Sequence, residues 1–400
     1  MRILYLVDQF PGLFEVYLFR EIGWMRSHGH SVAVVSLGSV SPHGFRTETG
    51  TYVDLAEFGV NDIPVLQLDI RQTPQERIIA EALAFAREHS SEIIDAHVAR
   101  EPAEVACDMH LASGLPFAVR MRGGDVHTRT SLRLAEIVEH ASAVCPLSQF
   151  LAGVLTGSQV SINKPQRVPL KIDSDKLHII PTGLPMQYLA DTAADQRDDV
   201  QIIGAIGRVV PVKRFQDVIE AVAHLAKDFP GLKFRIIGGG SLAPELQALA
   251  EKHGIEDRFE ITGFKSWREV IYLARQLHIY VQSSELEGCS SATVEAGFQG
   301  LPLVLSRCGA NEQCVKPGIN GELFDPGDVT TLQKRLQSVL EAGAAGRKKM
   351  GAASLEIVGQ RFRDENIMPG IERVYQSAIT RQMMPAAQVT ALASRPGDTF

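Results

Sequence analysis

Ile202-Ile203-Gly204-Ala205-Ile206 is a short, uncharged apolar run, and the loop Gly207-Arg208-Val209-Val210-Pro211-Val212-Lys213-Arg214 separates it from a helix-length amphipathic segment at 215–228. An apolar run without polar alternation reads as a strand covered on both faces, the pattern of a parallel sheet. The same alternation continues outward. Toward the C-terminus it predicts strands at 234–237, 259–262, 279–282, 303–305 and 321–323, with helices at 244–253, 267–275, 292–299 and 330–342. Toward the N-terminus it predicts strands at 3–7, 31–36, 65–68, 93–96, 117–121, 143–146 and 177–180, with helices at 15–28 and 73–89. From 188 to 200 the chain turns to Ala, Asp, Gln and Arg with few large apolar residues, which reads as a linker. The fold class is therefore α/β, with two domains of similar size in tandem.

Composition agrees with this reading. The chain has 400 residues, of which 45% are apolar and 22% charged, ordinary values for globular domains. Forty Lys plus Arg against 47 Asp plus Glu leave a net charge of −7, which provides no overall field for a polyanion, so nucleic acid is not expected as a partner. Five cysteines without a C-x-x-C pair fit neither a disulfide framework nor a zinc site, and point to a reduced, cytoplasmic setting. The opening Met1-Arg2-Ile3-Leu4-Tyr5-Leu6-Val7 reaches Asp8 too soon for a signal-peptide core, and no later stretch is apolar enough to span a bilayer. The segment 365–382 has helical spacing that Pro369-Gly370 is expected to kink or delay, and 383–400 reads as a flexible tail.

Motifs of other chemistries are missing. The chain has no G-x-x-x-x-G-K-[ST], H-E-x-x-H or G-x-S-x-G, and no G-x-G-x-x-G after the first strand. Instead Arg208 and Lys213 follow the strand ending at Ile206, at the sheet edge where open α/β folds bind ligands. A planar fork and a point charge there suit a diphosphate, with solvated loop charge as the competing reading. Gly238-Gly239-Gly240 follows the next strand and also fits an ordinary tight turn.

The block Ser283-Ser284-Glu285-Leu286-Glu287-Gly288-Cys289-Ser290-Ser291 strengthens the ligand reading. It joins a strand to a helix that Ser290 or Ser291 can cap, and amides at such a helix start bind anions without basic side chains. Glu287 before the helix and Glu295 inside it can address one ligand at two points. Asp173-Ser174-Asp175 spells D-x-D but lies away from this half and reads as an acidic turn, so no metal is expected.

Gly207-Arg208 with Lys213, Gly238 to Gly240, and the pair Glu287 and Glu295 together resemble the donor half of retaining glycosyltransferases of family 4. The resemblance is strongest over 202–327 and includes Gly318-Ile319-Asn320-Gly321-Glu322-Leu323-Phe324-Asp325-Pro326-Gly327-Asp328. The N-terminal half matches more loosely. There, Phe10-Pro11-Gly12, Glu15 and Phe19-Arg20-Glu21-Ile22 are similar to the opening of bacterial exopolysaccharide and lipopolysaccharide members.

The resemblance implies a GT-B fold, with two Rossmann-like domains whose parallel sheets face an interdomain cleft. Its expected divisions are an acceptor domain at 1–187, a linker at 188–199, a nucleotide-sugar domain at 200–364 and a returning helix at 365–382. It implies a hexosyltransferase using a UDP- or GDP-sugar and a glycan or lipid-linked acceptor, without a cofactor, in the cytoplasm with peripheral contact at the inner membrane surface. Arg208, Lys213 and Glu287 are the implied catalytic group. Gly239, Phe264, Lys265, Gly288, Cys289, Ser290, Ser291 and Glu295 are the implied donor contacts, and Glu15, His97, Arg122 and Asp125 line the acceptor side.

Glu287 is implied to position sugar hydroxyls rather than to act as a nucleophile, which leaves same-face substitution assisted by the departing diphosphate. Arg122 occupies the place of a family His, in Arg120-Met121-Arg122-Gly123-Gly124-Asp125, and an Arg there can hold a uronic acid or a lipid phosphate. Arg120, Arg122, Arg129 and Arg133, or Lys164, Arg167 and Lys171, form candidate basic patches for lipid. A non-catalytic partner subunit and a GT-B sugar-nucleotide epimerase are the rival functions.

Overall fold

Each of the two sheets built by these apolar runs is parallel throughout. The computed structural model describes residues 1–12, 16–38, 54–127, 131–160, 169–184 and 201–383, and the backbone alone at 46–47 and 50–51. Glu15, the linker at 188–199, Arg129, Lys164, Arg167 and the tail beyond Met383 lie outside the described residues. The chain divides into two units, the first comprising Met1–Gly44, Asp54–Pro181 and Ile367–Phe400, the second Phe45–Val53 and Thr182–Asn366.

The first unit holds β1 (Arg2–Val7), β2 (Ser31–Ser36), β3 (Val65–Gln67), β4 (Ile93–Ala96), β5 (Phe117–Met121) and β6 (Ala143–Pro146) in the order β3-β2-β1-β4-β5-β6. Its helices are α1 (Val16–Ser27), α2 (Gln75–Glu88), α3 (Glu101–Ser113), α4 (Gly123–His127), α5 (Leu134–His140) and α6 (Gln149–Thr156). The second unit repeats the order as β9-β8-β7-β10-β11-β12, with β7 (Gln201–Ile206), β8 (Leu232–Ile237), β9 (Phe259–Ile261), β10 (Ile279–Gln282), β11 (Leu303–Ser306) and β12 (Gly321–Phe324). Its helices are α7 (Phe215–Leu225), α8 (Ala243–Lys252), α9 (Trp267–Ala274), α10 (Ser291–Phe298), α11 (Asn311–Cys314), α12 (Val329–Glu341) and α13 (Gly343–Phe362). In both sheets the order reverses beside the first strand, between β1 and β4 and between β7 and β10. A crevice opens at the carboxyl ends of such strands, because the connections on either side diverge there.

β10 shows why its run lacks polar alternation. Ile279 and Val281 enter one core with Val218 and Val222 of α7 and Leu332 and Leu336 of α12. Tyr280 enters the opposite core with Val294 and Phe298 of α10 and Val358 of α13. Each large apolar side chain so covered contributes about 1.5–3 kcal/mol relative to exposure.

Some expected elements differ. At 177–180 the structure has only an isolated bridge from Leu177 to Val144, although His178 and Ile180 still donate to the backbone of β6. Pro369 does not delay its helix, because α14 (Asp364–Met383) starts before it. So close to the helix start, the missing proline N–H removes at most one intrahelical bond. The helices α3, α4, α5, α6, α11 and α13 were not anticipated.

From Ile367 onward α14 belongs to the first unit. Tyr375 donates to Asp95, and Arg381 binds both the Asp175 carboxylate at 2.9 Å and its carbonyl at 2.7 Å. Asp175 therefore anchors a helix, and Lys176 N–H donating to the Asp173 carbonyl at 2.9 Å closes the acidic turn. Among the described residues, no helix is long and apolar enough to cross a membrane. Two arginines of the first basic patch are already paired: Arg120 is buried against Glu21, and Arg133 pairs with Asp108 at 2.7 Å and Glu136 at 2.8 Å.

Candidate active site

At the carboxyl edge of the second sheet, one carboxylate gathers the surrounding donors. Lys213 Nζ lies 2.7 Å from Glu287 Oε1, and the two side chains are only 16% and 13% exposed. The same oxygen accepts from Ser284 Oγ at 2.7 Å and from Gln282 Nε2 at 2.9 Å. A partly desolvated ion pair is screened less than a surface pair, and three converging donors fix the carboxylate's direction. Lys213 has three N–H donors, so the pair leaves it capacity for a further acceptor.

The loops are tied to each other. Ser283 Oγ donates to the carbonyls of Lys213 and Arg214 at 2.8 and 3.0 Å, and Glu285 N–H donates to the Val212 carbonyl at 2.9 Å. Ser290 caps α10 by accepting from Thr293 N–H, while its hydroxyl accepts from Gln282 Nε2 at 2.9 Å. Thr293 Oγ1 in turn donates to Gln282 Oε1 at 2.6 Å. Gln282 thereby locks the Glu287 loop to the start of α10. Ser291 opens that helix, with Gly288 and Cys289 just before it. Burial pushes the Cys289 thiol up, which leaves it a protonated neighbour rather than a nucleophile.

Burial, with the charges of Glu287 and Glu295, raises the Tyr280 phenol, so both carboxylates act on one buried ring. Gly239 lies against Phe264: a Cβ there would sit 3.2 Å from the ring. Phe264 is 48% exposed beside the half-buried Lys265. Arg208 is exposed in the β7 loop.

The corresponding edge of the first sheet carries a buried polar network. His97 Nδ1 is 3.2 Å from Asp95 Oδ1, and its Nε2 is 2.6 Å from Arg122 Nη2. An arginine only donates, so Nε2 must be the acceptor and Nδ1 carries the proton toward Asp95. Burial, reinforced by the Arg122 charge, holds the His97 imidazolium below its ordinary range, in agreement with that neutral tautomer. The unfolded chain therefore takes the proton first. Stability contributed by neutral His97 is present above about pH 6.5 and falls as pH drops toward the depressed native value.

Asp125 accepts from the backbone N–H groups of Arg122 and Ala99 at 3.0 and 3.2 Å and pairs with Arg100 at 3.1 Å. Burial nevertheless raises its carboxyl. Glu21, Asp95 and His97 bring potential metal-ligating atoms within 4.8 Å of one another. The Arg120 guanidinium already serves this group, 3.2 Å from Glu21 and 3.8 Å from Asp95, so a cation of the protein's own balances the carboxylates.

Comparison with known proteins places the second unit. The family "Glycosyl transferases group 1" matches residues 191–356. Residues 191–356 thus resemble a group 1 glycosyl transferase domain. The chain is 26% identical over 170 residues to the lipopolysaccharide core biosynthesis glycosyltransferase LpsE of Rhizobium meliloti, covering 42% of this chain and 48% of that one. It is 29% identical over 150 residues to the lipopolysaccharide 1,6-galactosyltransferase of Salmonella typhimurium, covering 36% and 41% respectively. The chain thus spans about half or less of these curated relatives. Anabaena HepE, solved with UDP and glucose, superposes with a TM-score of 0.75 over 94% of this chain and 100% of its own, at 19% identity. The fold is GT-B.

In the second unit the structure brings Lys213, Glu287, Gly288, Cys289, Ser290 and Ser291 together, and Gly239 with Phe264. In the first unit it joins His97, Arg122 and Asp125; Glu15 is outside the described residues. Sequence reading missed Gln282 and Ser284, which hold Glu287. A polar residue closing an apolar strand was their signal. It also missed Tyr17 and Tyr375, and it read Glu21 only as part of a resemblance and Arg120 only as part of a basic patch, because their partners are too distant in sequence to form a motif.

Proposed function

We propose that the protein is a retaining glycosyltransferase that moves a hexose from a UDP- or GDP-sugar to a glycan or lipid-linked acceptor in bacterial polysaccharide synthesis. The observation carrying this reading is the Lys213–Glu287 pair beside the start of α10. It sets a cation and main-chain amides next to a carboxylate whose Oε1 is already held by three donors. HepE's structures with UDP and UDP-glucose support the donor class.

In the proposed step, the acceptor oxygen forms its bond to the anomeric carbon on the face from which the diphosphate oxygen departs, and the acceptor proton passes to that oxygen. Lys213, Arg208 and the amides of Gly288 to Ser291 stabilise charge growing on the leaving group. Glu287, committed to three donors, orients sugar hydroxyls and does not attack. Glu295 accepts from ribose hydroxyls, and Phe264 with Lys265 borders the base. The first unit supplies the acceptor through His97, Arg122 and Asp125. No resident metal is invoked.

The test is incubation of the purified chain with a panel of nucleotide sugars and lipid-linked acceptors. Release of free nucleotide diphosphate with a glycosylated product of retained anomeric configuration is expected. An altered sugar nucleotide without release identifies an epimerase, and donor binding without turnover identifies a partner subunit.

A further inference from the structure

Three arginines stand at the carboxyl edge of the first sheet, and their charges are treated differently. Arg120, at the end of β5, faces Glu21 and Asp95 and is fully buried. Arg100, before α3, pairs with Asp8 and Asp125. Each has two carboxylates. Among the described residues the Arg122 guanidinium forms no ion pair: its Nε donates to the His97 carbonyl at 3.3 Å, its Nη2 to neutral His97 Nε2 at 2.6 Å, and it lies 4.0 Å over the Tyr17 ring, with Asp125 acting on it only at longer range. Nη1 makes no hydrogen bond among the described residues.

The side chain is also preorganised. Tyr17 stacks on His97 at 14° between ring planes as well as lying under Arg122. Asp95 sets the His97 tautomer, and Tyr375 and Arg120 hold Asp95 in turn. The nearest carboxylate, Asp125, accepts from the Arg122 backbone N–H and is already paired with Arg100, and the fixed guanidinium fork loses little rotamer freedom on binding a planar pair of oxygens.

We infer that Arg122 receives an anionic oxygen group of a substrate, a carboxylate on a sugar or a phosphate on the acceptor, with its free Nη1 and the remaining Nη2 hydrogen. The inference deepens the glycosyltransferase reading, on which it rests for the word substrate, by making that substrate acidic. Arg122 is then a specificity residue, and His97, Tyr17 and Asp95 are positioning residues.

The test is calorimetric titration of the full chain with two matched pairs, glucuronate against glucose and glycerol 3-phosphate against glycerol. At least one anion should bind about tenfold more tightly than its neutral counterpart, as expected for a charge-assisted bidentate contact. The pair that shows the preference identifies the source of the charge. Arg122→Gln should abolish the preference, Arg122→Lys should keep part of it, and Lys213→Ala should leave it intact. Thermal unfolding of each variant checks that it is folded.

Equal binding of anion and neutral partner by the unaltered chain in both pairs, or a preference that survives Arg122→Gln, overturns the inference. So does a preference lost in Lys213→Ala and kept in Arg122→Gln, because the anion then sits on the second unit. UDP titrated in parallel separates the two proposals. Failure of both UDP and GDP, titrated in the same way, to bind while the Arg122-dependent preference persists sinks the donor reading alone.

Discussion

Replacing Lys213 with Ala should lower kcat/KM for the sugar nucleotide by about 10²–10³-fold, the usual cost of removing one preorganised group from a developing oxyanion. The structure makes Lys213 the most exactingly placed cation of the second unit's edge. Its ammonium is 2.7 Å from Glu287, and its own carbonyl is held by Ser283. Removing the ammonium leaves Glu287 bound by Gln282 and Ser284, so the carboxylate stays in place while a negative charge loses its counter-ion beside the leaving group. The two effects act in the same direction. Lys213→Arg retains charge but brings a larger, planar head into the space of a point cation, and should recover only part of the loss. Steady-state release of nucleotide diphosphate measures both variants. Full activity in Lys213→Ala would remove Lys213 from the chemistry.

Gly309→Ala should reduce turnover at least about tenfold, for a backbone reason. Gly309 has φ +56°, and a Cβ there would lie 1.9 Å from the Glu287 carbonyl oxygen and 2.6 Å from its carbonyl carbon. Neither atom belongs to a flexible side chain, so the Glu287 loop itself must shift. The left-handed conformation adds about 1–2 kcal/mol for any residue with a Cβ. Gly254 provides the control, with φ +67° and nothing within 4 Å of a built Cβ. Gly254→Ala should therefore share the strain and keep the activity. Thermal unfolding together with turnover separates the shared stability loss from the displaced loop. Equal activity in the two variants would show that the position of Glu287 is not demanding.

Much of the architecture could be read along the chain because parallel strands are covered on both faces. β10 is legible as an uninterrupted apolar run for the reason its packing reveals: alternate residues fill two different cores. α13 was not legible. Its sequence is rich in Gly, Ala, Lys and Arg, and one of its buried residues is Arg347, whose Nη1 donates to the Leu340 carbonyl at 3.2 Å. A helix whose covered face includes a charged residue presents no apolar stripe to find. α3 escaped for a related reason, since it covers its neighbours mainly with small residues such as Ala103, Ala106 and Cys107.

The two sheet edges differ in the same way. Lys213, Glu287 and Ser290 were visible because they cluster in loops directly after strands. The network beneath His97 was not visible, since Tyr375 and Asp95 are 280 residues apart and neither lies in a recognisable pattern. That network joins β4, β5, α1 and the returning helix α14, and the parallel pairing of β4 with β5 brings Asp95 and Arg120 together.

The central claim is that the Lys213–Glu287 edge of the second sheet carries the departing diphosphate. A crystal structure of the chain with UDP tests it most directly. The account predicts the diphosphate within hydrogen-bond distance of Lys213 and of the amides leading into α10, with the ribose near Glu295. A nucleotide bound elsewhere, with Lys213 still engaged only by Glu287 and Arg208 still in solvent, would contradict it.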